Sequence, residues 1–501
     1  MFIDGRAVPQ DHVFENDVCI IGAGAAGLTL ATALDRFGVG VDLVESGGLK
    51  SIPRTQRLTR VKLRDKEHFA NRLRFFGGTT NHWGGWCQPL ETFEFEQHPW
   101  VPDSGWPFGR SELEPYYEAS RDVLGLPQPG YRFEAAAEAA YPEPPLLEDQ
   151  SEFRSVIWRK TQPGPLRMRE KYGDAIAGSK NVRCVLHGNA LELLPNREGR
   201  LIELVSARTL TKRRMTFRAR RYVLATGCLE NARLLLLSDS IVRGGIGNQN
   251  DCVGRYLCDH GFLSMGRVLL PGRSSAPVFR EERFFPEREG PDGRTDGVGY
   301  ATTEAYRTRN RSLGFAAAVG TFREDDRSAP AIEELVRAAD GDGGARPSQP
   351  SRSFVLAVSA EQAPNRESRL VLDPDKDALG QRKARVVHRS TDLDHRSRRE
   401  SIERLAALVA RSGRGRVKLE PFDPRGWMPA VAGHQTGSAR MSEDPKKGVT
   451  DGNGRVHGVA NLFVTGGAVY PTAGWQHPTL TIVALALRLA DHLKAGGGVP
   501  G

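Results

Sequence analysis

The stretch from Asp17 to Glu45 constrains the fold of this chain more than any other. Val18-Cys19-Ile20-Ile21 is a short, wholly apolar run, the pattern of a strand buried on both faces. It breaks into Gly22-Ala23-Gly24-Ala25-Ala26-Gly27, a G-x-G-x-x-G, and continues as the helix-like run Leu28–Leu34. A second strand, Val41–Val44, delivers Glu45 about twenty residues after the glycines, the spacing of a dinucleotide site. Gly22 allows the tight turn, Gly24 lets a pyrophosphate approach the backbone, and Gly27 lets helix and strand pack closely. The helix N-terminus offers free N–H groups to phosphate, and Glu45 offers acceptors to a ribose diol. Gly22, Gly24, Ala25, Ala26, Gly27 and Glu45 are therefore the first candidate cofactor contacts.

With 501 residues, the chain has room for two or three domain-sized units. No apolar run approaches the length of a membrane span and no basic-then-apolar leader opens the chain, so a cytoplasmic location is the expectation. The six cysteines are scattered without a C-x-x-C, which suits buried reduced thiols and offers no metal site. The net charge of +9 is spread along the chain. Its densest cluster, Lys212–Arg214 with Arg218, Arg220 and Arg221, alternates with apolar residues, as on a solvated strand face rather than a nucleic-acid arm.

Farther along, Arg74–Cys87 contains Gly77, Gly78, Gly84 and Gly85 among small polar and aromatic residues, a loop whose backbone must come close to a ligand. Residues 91–180 are turn-rich, with a helical patch near Glu112–Leu124 and a Pro/Glu-rich connection at Tyr141–Glu148. Tyr222–Gly227 is another buried strand entering a glycine turn and then a helix through Leu229–Leu237. Arg323–Arg352, rich in Asp, Gly, Pro and Ser, reads as an exposed loop. The run Pro478–Leu487 is apolar nearly all round, a buried helix with His477 at or beside its N-cap.

These segments together resemble the glucose–methanol–choline (GMC) oxidoreductase family over nearly the whole chain. The opening fingerprint with Glu45, the Gly77-Gly78-Thr79-Thr80 loop, Ala225–Asn231 and Val253–His260 are similar to family motifs in the same order. The most specific segments are His434–Met441 and Tyr470-Pro471-Thr472 followed by His477–Thr481. Glu361–Arg369 and the Gly-Gly-x-x-x-His-Trp pattern ending at His82-Trp83 resemble the bacterial, pyranose-oxidase-like branch. Two positions depart from the pattern. His477 stands where pyranose-oxidase relatives usually carry Asn, and Gly466 stands where many members carry an Asp that contacts the cofactor.

The resemblance implies an α/β chain: a Rossmann-type FAD-binding domain with a parallel sheet, plus a substrate-binding domain built on an antiparallel sheet. The expected division gives 1–90, 181–260 and 431–495 to the first and 91–180 and 261–430 to the second, the latter carrying the loop near 323–352. It implies FAD as cofactor, with Gly77, Gly78, Thr79, Asn81, His82, Ala190, Ala225, Gly227, Gly467, Pro478 and Thr479 joining the fingerprint residues as contacts. His82 would either bond covalently to the flavin 8α-methyl or touch the ring beside Trp83 without a bond. His434 would take the hydroxyl proton of an alcohol while hydride leaves for flavin N5, and His477 would hydrogen-bond the same hydroxyl. Trp83, Trp86 and Trp475 either stack on a sugar ring or pack in the core. His187, His260 and His457 read as structural.

The leading expectation is an FAD-dependent oxidoreductase acting on a sugar, glycoside or similar small polyol, with oxygen or another electron acceptor. A non-redox lyase of the hydroxynitrile-lyase type is the alternative. An NAD(P)H-dependent flavin reductase is disfavoured because Gly244–Gly247 lacks the strand and spacing of a second nucleotide fold.

Overall fold

The computed structural model describes residues 1–64, 66–69, 71–126, 147, 149–162, 164–260, 263–270, 288–289, 295–320, 352–413, 415–421 and 432–496. Two of the expected features, most of the connection at 141–148 and the loop at 323–351, lie outside those residues.

The apolar run Val18–Ile21 is the centre of the first sheet. It pairs in parallel with Val41–Val44 on one side and with Arg221–Leu224 on the other. Phe2–Asp4, Val182–Leu186 and Leu462–Val464 extend the parallel part, and the strands at 202–208 and 189–195 add an antiparallel edge. The central strand begins at His12, earlier than its apolar pattern shows. Its polar first half pairs with Met215–Ala219, so that half needs cross-strand partners rather than two buried faces. Helix Ala25–Arg36 covers this sheet and packs against the C-terminal helix Thr479–Lys494. Val18, Cys19, Ile20, Leu28, Leu34, Leu462 and Val483 all bury completely in the shared core, which fixes both helix N-termini relative to the strand ends.

A second sheet is antiparallel throughout, with the order 416–419, 263–270, 352–360, 315–320, 295–302, 153–160 and 86–87. One face of it is covered by helix Asp392–Arg411, whose Ile402, Leu405 and Val409 are buried against Tyr306, Phe315 and Leu356. A smaller four-stranded sheet joins Val61–Leu63 and Lys66–His68 to strands at 369–376 and 382–387. Among the described residues, no helix is long and apolar enough to cross a membrane. All six cysteines are buried and unbonded.

Candidate active site

A cleft of about 660 Å³ opens at the carboxyl ends of the parallel strands, the place where an α/β sheet accepts ligands. Gly22, Gly24, Ala25, Ala26 and Glu45 line it. Gly27 does not, and its position explains its identity: a Cβ there would stand 1.9 Å from the Gly22 carbonyl oxygen. A Cβ on Gly24 would meet no protein atom within 4 Å and would project into the space a pyrophosphate needs. Glu45 is buried, and its two oxygens accept hydrogen bonds from the Ala23 and Gly47 amides at 3.0 and 2.7 Å. Burial pushes its carboxyl upward, opposed by those two N–H groups.

Three helix N-termini face this one cleft. Helices Ala25–Arg36, Cys228–Leu237 and Thr479–Lys494 start after Gly24, Gly227 and Pro478, and none has a side-chain cap hydrogen bond. The cap and first helical residue of each line the cleft. Their free N–H groups and positive dipole ends make a site for an anionic ligand with several charged groups. Ala190, Ala225 and Gly467 line the wall beside them.

In the second glycine loop, Gly78, Thr79 and His82 line the cleft. Gly77 and Asn81 sit behind it. The Gly77 amide donates to the Ala23 carbonyl at 2.9 Å, and Asn81 Nδ2 donates to the Phe76 and Gly78 carbonyls at 3.0 and 2.9 Å. The loop is thus stitched to the fingerprint turn. Arg167 Nη1 donates to the Thr80 and Trp83 carbonyls at 2.9 and 3.0 Å, holding the backbone on either side of His82. Partial burial and Arg167 lower the pKa of His82.

His434 and His477 line the same cleft with ring centroids 5.0 Å apart. Desolvation pushes His434 down to about 4 and His477 well below the usual histidine value, so both rings are neutral at ordinary pH. His434 Nδ1 has no hydrogen-bond partner among the described residues. His260, read from the sequence as structural, lies with its ring centroid 5.0 Å from that of His434, and burial pushes it down to about 3. His187 and His457 lie outside the cleft lining, and His457 Nε2 contacts the Ser442 carbonyl at 2.8 Å.

Trp83 and Trp86 line the cleft, but Trp475 does not. Trp475 is fully buried, edge-on to Trp158 at 5.8 Å, so its aromatic surface belongs to the core rather than to a sugar platform.

Sequence reasoning missed the charged wall of the cleft. Glu230 is held by Arg74 at 2.9 Å, Arg72 at 3.4 Å and Arg233 at 3.3 Å, and Arg74 Nη1 donates to Ser46 Oγ at 3.2 Å beside Glu45. Despite burial, the three arginines hold the Glu230 carboxyl down to about 2. A hint was present in the Arg-x-Arg at 72–74 just before the glycines, but only the fold brings Glu230 to it.

Residues 364–486 match the family model described as GMC oxidoreductase. The chain thus resembles the GMC oxidoreductases over that stretch. It is similar to 6'''-hydroxyparomomycin C oxidase of Streptomyces lividus, at 26% identity over 96% of this chain and 92% of that one. It is also similar to the fructose dehydrogenase large subunit of Gluconobacter japonicus, at 24% identity over 96% of this chain and 98% of that one. Among solved structures, pyridoxine 4-oxidase from Mesorbium loti shares the fold with a TM-score of 0.57 at 18% identity, covering 95% of this chain and 99% of that one. FAD is the cofactor of that family, and the relatives named are an oxidase and a dehydrogenase. The open Gly24 wall, the buried Glu45 and the three uncapped helix N-termini fit that cofactor.

Proposed function

We propose that this chain is an FAD-dependent GMC oxidoreductase that oxidises a CH–OH group of a sugar, glycoside or similar polyol, with His434 as the proton acceptor. The observation that carries the reading is the pair of neutral imidazoles, 5.0 Å apart, on the wall of a cleft built for FAD. FAD, when bound, supplies the hydride acceptor. His434 enters the reaction uncharged and takes the hydroxyl proton. Its low pKa keeps it available at every ordinary pH at some cost in basicity. His477 hydrogen-bonds the same hydroxyl and orients it toward His434. The positive end of helix Thr479–Lys494, immediately after His477, favours negative charge building up beside the pair.

The same reading assigns Gly22, Gly24, Ala25, Ala26, Gly78, Thr79 and the helix starts at Gly227 and Pro478 to the cofactor phosphates and ring, and Glu45 to its ribose. Gly27, Gly77 and Asn81 shape those turns, and Ala190, Ala225 and Gly467 complete the wall. His82 stands at the edge of the loop as the candidate for a covalent flavin bond. The cofactor part then comprises 1–90, 181–260 and 431–495, and the substrate part 91–180 and 261–430. The substrate class is supported by the relatives, one named for a hydroxylated compound and another for a sugar.

The test is a panel of sugars, glycosides and polyols mixed anaerobically with the FAD-loaded protein. Bleaching of the oxidised flavin by one chemical class supports the reading. A flavin that stays oxidised with the whole panel but is reduced by non-sugar alcohols would overturn the substrate class. Turnover of a cyanohydrin with no bleaching would favour the lyase chemistry instead.

A further inference from the structure

We propose that Asp259 is the positioning residue for His434, holding the loop that carries it by gathering the N–H groups of four consecutive residues. Asp259 is 1% exposed and does not line the cleft. Its Oδ1 accepts the His434 amide at 2.8 Å. Its Oδ2 accepts the Ala432 amide at 2.8 Å, the Gly433 amide at 3.3 Å and Gln435 Nε2 at 3.0 Å. Residues 432–435 belong to no helix or strand, so these bonds replace the regular hydrogen bonding that would otherwise define the backbone of a catalytic side chain. Three successive amides converging on one acceptor group form a nest-like turn, and the Asp259 carboxyl sets its curvature.

The clamp is itself anchored. Asp259 N donates to Gln362 Oε1 at 2.7 Å, and Cys258 and Thr436 exchange backbone hydrogen bonds at 3.0 and 2.8 Å. The next residue, His260, presses its ring edge-on to that of His434. Asp259 and His260 therefore hold the backbone and the ring of one residue from the same short segment. Burial pushes the Asp259 carboxyl up to about 8, and the four donors oppose that rise.

The proposal rests on the reading of His434 as proton acceptor, and its test separates the two. Asp259→Asn keeps the volume but turns one acceptor into a donor, so at least one N–H of the nest faces another N–H. Three measurements on FAD-loaded protein decide it. The rate of anaerobic flavin reduction should fall on the order of a hundredfold, the scale of a misplaced catalytic group, with KM little changed. The His434 imidazole signal, assigned in histidine-labelled protein by its loss in His434→Gln, should be sharp in wild type and broadened or displaced in Asp259→Asn, without any substrate. Hydrogen exchange at the amides of 432–434 in wild type should be as slow as in the strand at 222–224, a readout that survives even if Asp259→Asn does not fold. Rapid exchange at those amides, or an Asp259→Asn variant with an unchanged His434 signal and wild-type flavin reduction, would overturn the proposal. A slowed Asp259→Asn beside a fully active His434→Ala would instead overturn the assignment of the base.

Discussion

Acidification offers a quantitative probe of the cleft, because the half-buried His434 is held as a neutral ring. Its pKa falls from the ordinary 6.5 to about 4 in the folded protein, through desolvation. The unfolded chain therefore binds a proton at this residue below pH 6.5, while the folded chain refuses it until about pH 4. The unfolded state holds more protons in that window, so stability from this group is complete above 6.5 and drains away as pH falls toward 4. A tenfold change in proton affinity is worth about 1.4 kcal/mol, which makes the full loss about 3 kcal/mol and the loss by pH 5 about 2 kcal/mol. His477 and His260 shift in the same direction and touch the same ring, so their losses add incompletely. The perturbation is His434→Gln, which keeps a polar side chain that never titrates. Urea unfolding of wild type and variant at pH 7 and pH 5 reads the effect. Wild type should lose about 2 kcal/mol more than the variant between the two pH values. Equal losses would mean that His434 is hydrated in the folded protein and would refute the desolvation argument.

Four further outcomes follow from the structure. Gly24→Val should fold but fail to retain FAD, because its side chain would occupy the open phosphate space; flavin absorbance after purification and reconstitution measures this. If His82 carries a covalent bond, acid-precipitated wild-type protein stays yellow and its intact mass includes the flavin, whereas His82→Ala releases all flavin to the supernatant. Arg307 is 2% exposed and pairs with Glu94 at 2.6 Å and Glu361 at 3.1 Å, so Arg307→Met should cost about 3–5 kcal/mol in denaturant unfolding by stranding two buried carboxylates. The acid limb of kcat/KM, once a substrate is in hand, should fall near pH 4 rather than near 6.5, since that profile reports the free enzyme's base.

The parts of this molecule legible in the sequence are those with a local physical signature. Val18–Ile21 and Tyr222–Leu224 declare themselves as buried strands because both faces must be apolar, and Gly22 and Gly27 have no alternative where backbone meets backbone. His434 and His477 were legible through the motif segments around them, and the fold brings those segments together from residues more than forty apart along the chain. The remainder depends on contacts with no local trace. Asp259 is an unremarkable acid until Cys258 pairs with Thr436 and carries the carboxylate under the loop at 432–435. Glu230, Arg72 and Arg74 meet only because a helix start and a loop share one cleft. Trp475 read equally well as a sugar platform or as core, and the decision lay with Trp158, on a distant strand of the second sheet. The strand start at His12 was hidden because a half-strand that satisfies its bonds across an open face needs no apolar run.

The central claim is that His434 takes the proton as the alcohol is oxidised. The most direct measurement is the rate of anaerobic flavin reduction in His434→Ala, mixed with the alcohol that bleaches wild type fastest, with FAD content matched. The variant should keep its flavin and its folded spectrum while reducing it about a hundred- to ten-thousand-fold more slowly, the range that general-base catalysis supplies. Reduction at the wild-type rate in folded, FAD-loaded His434→Ala would contradict the account and place the base on another residue of the cleft.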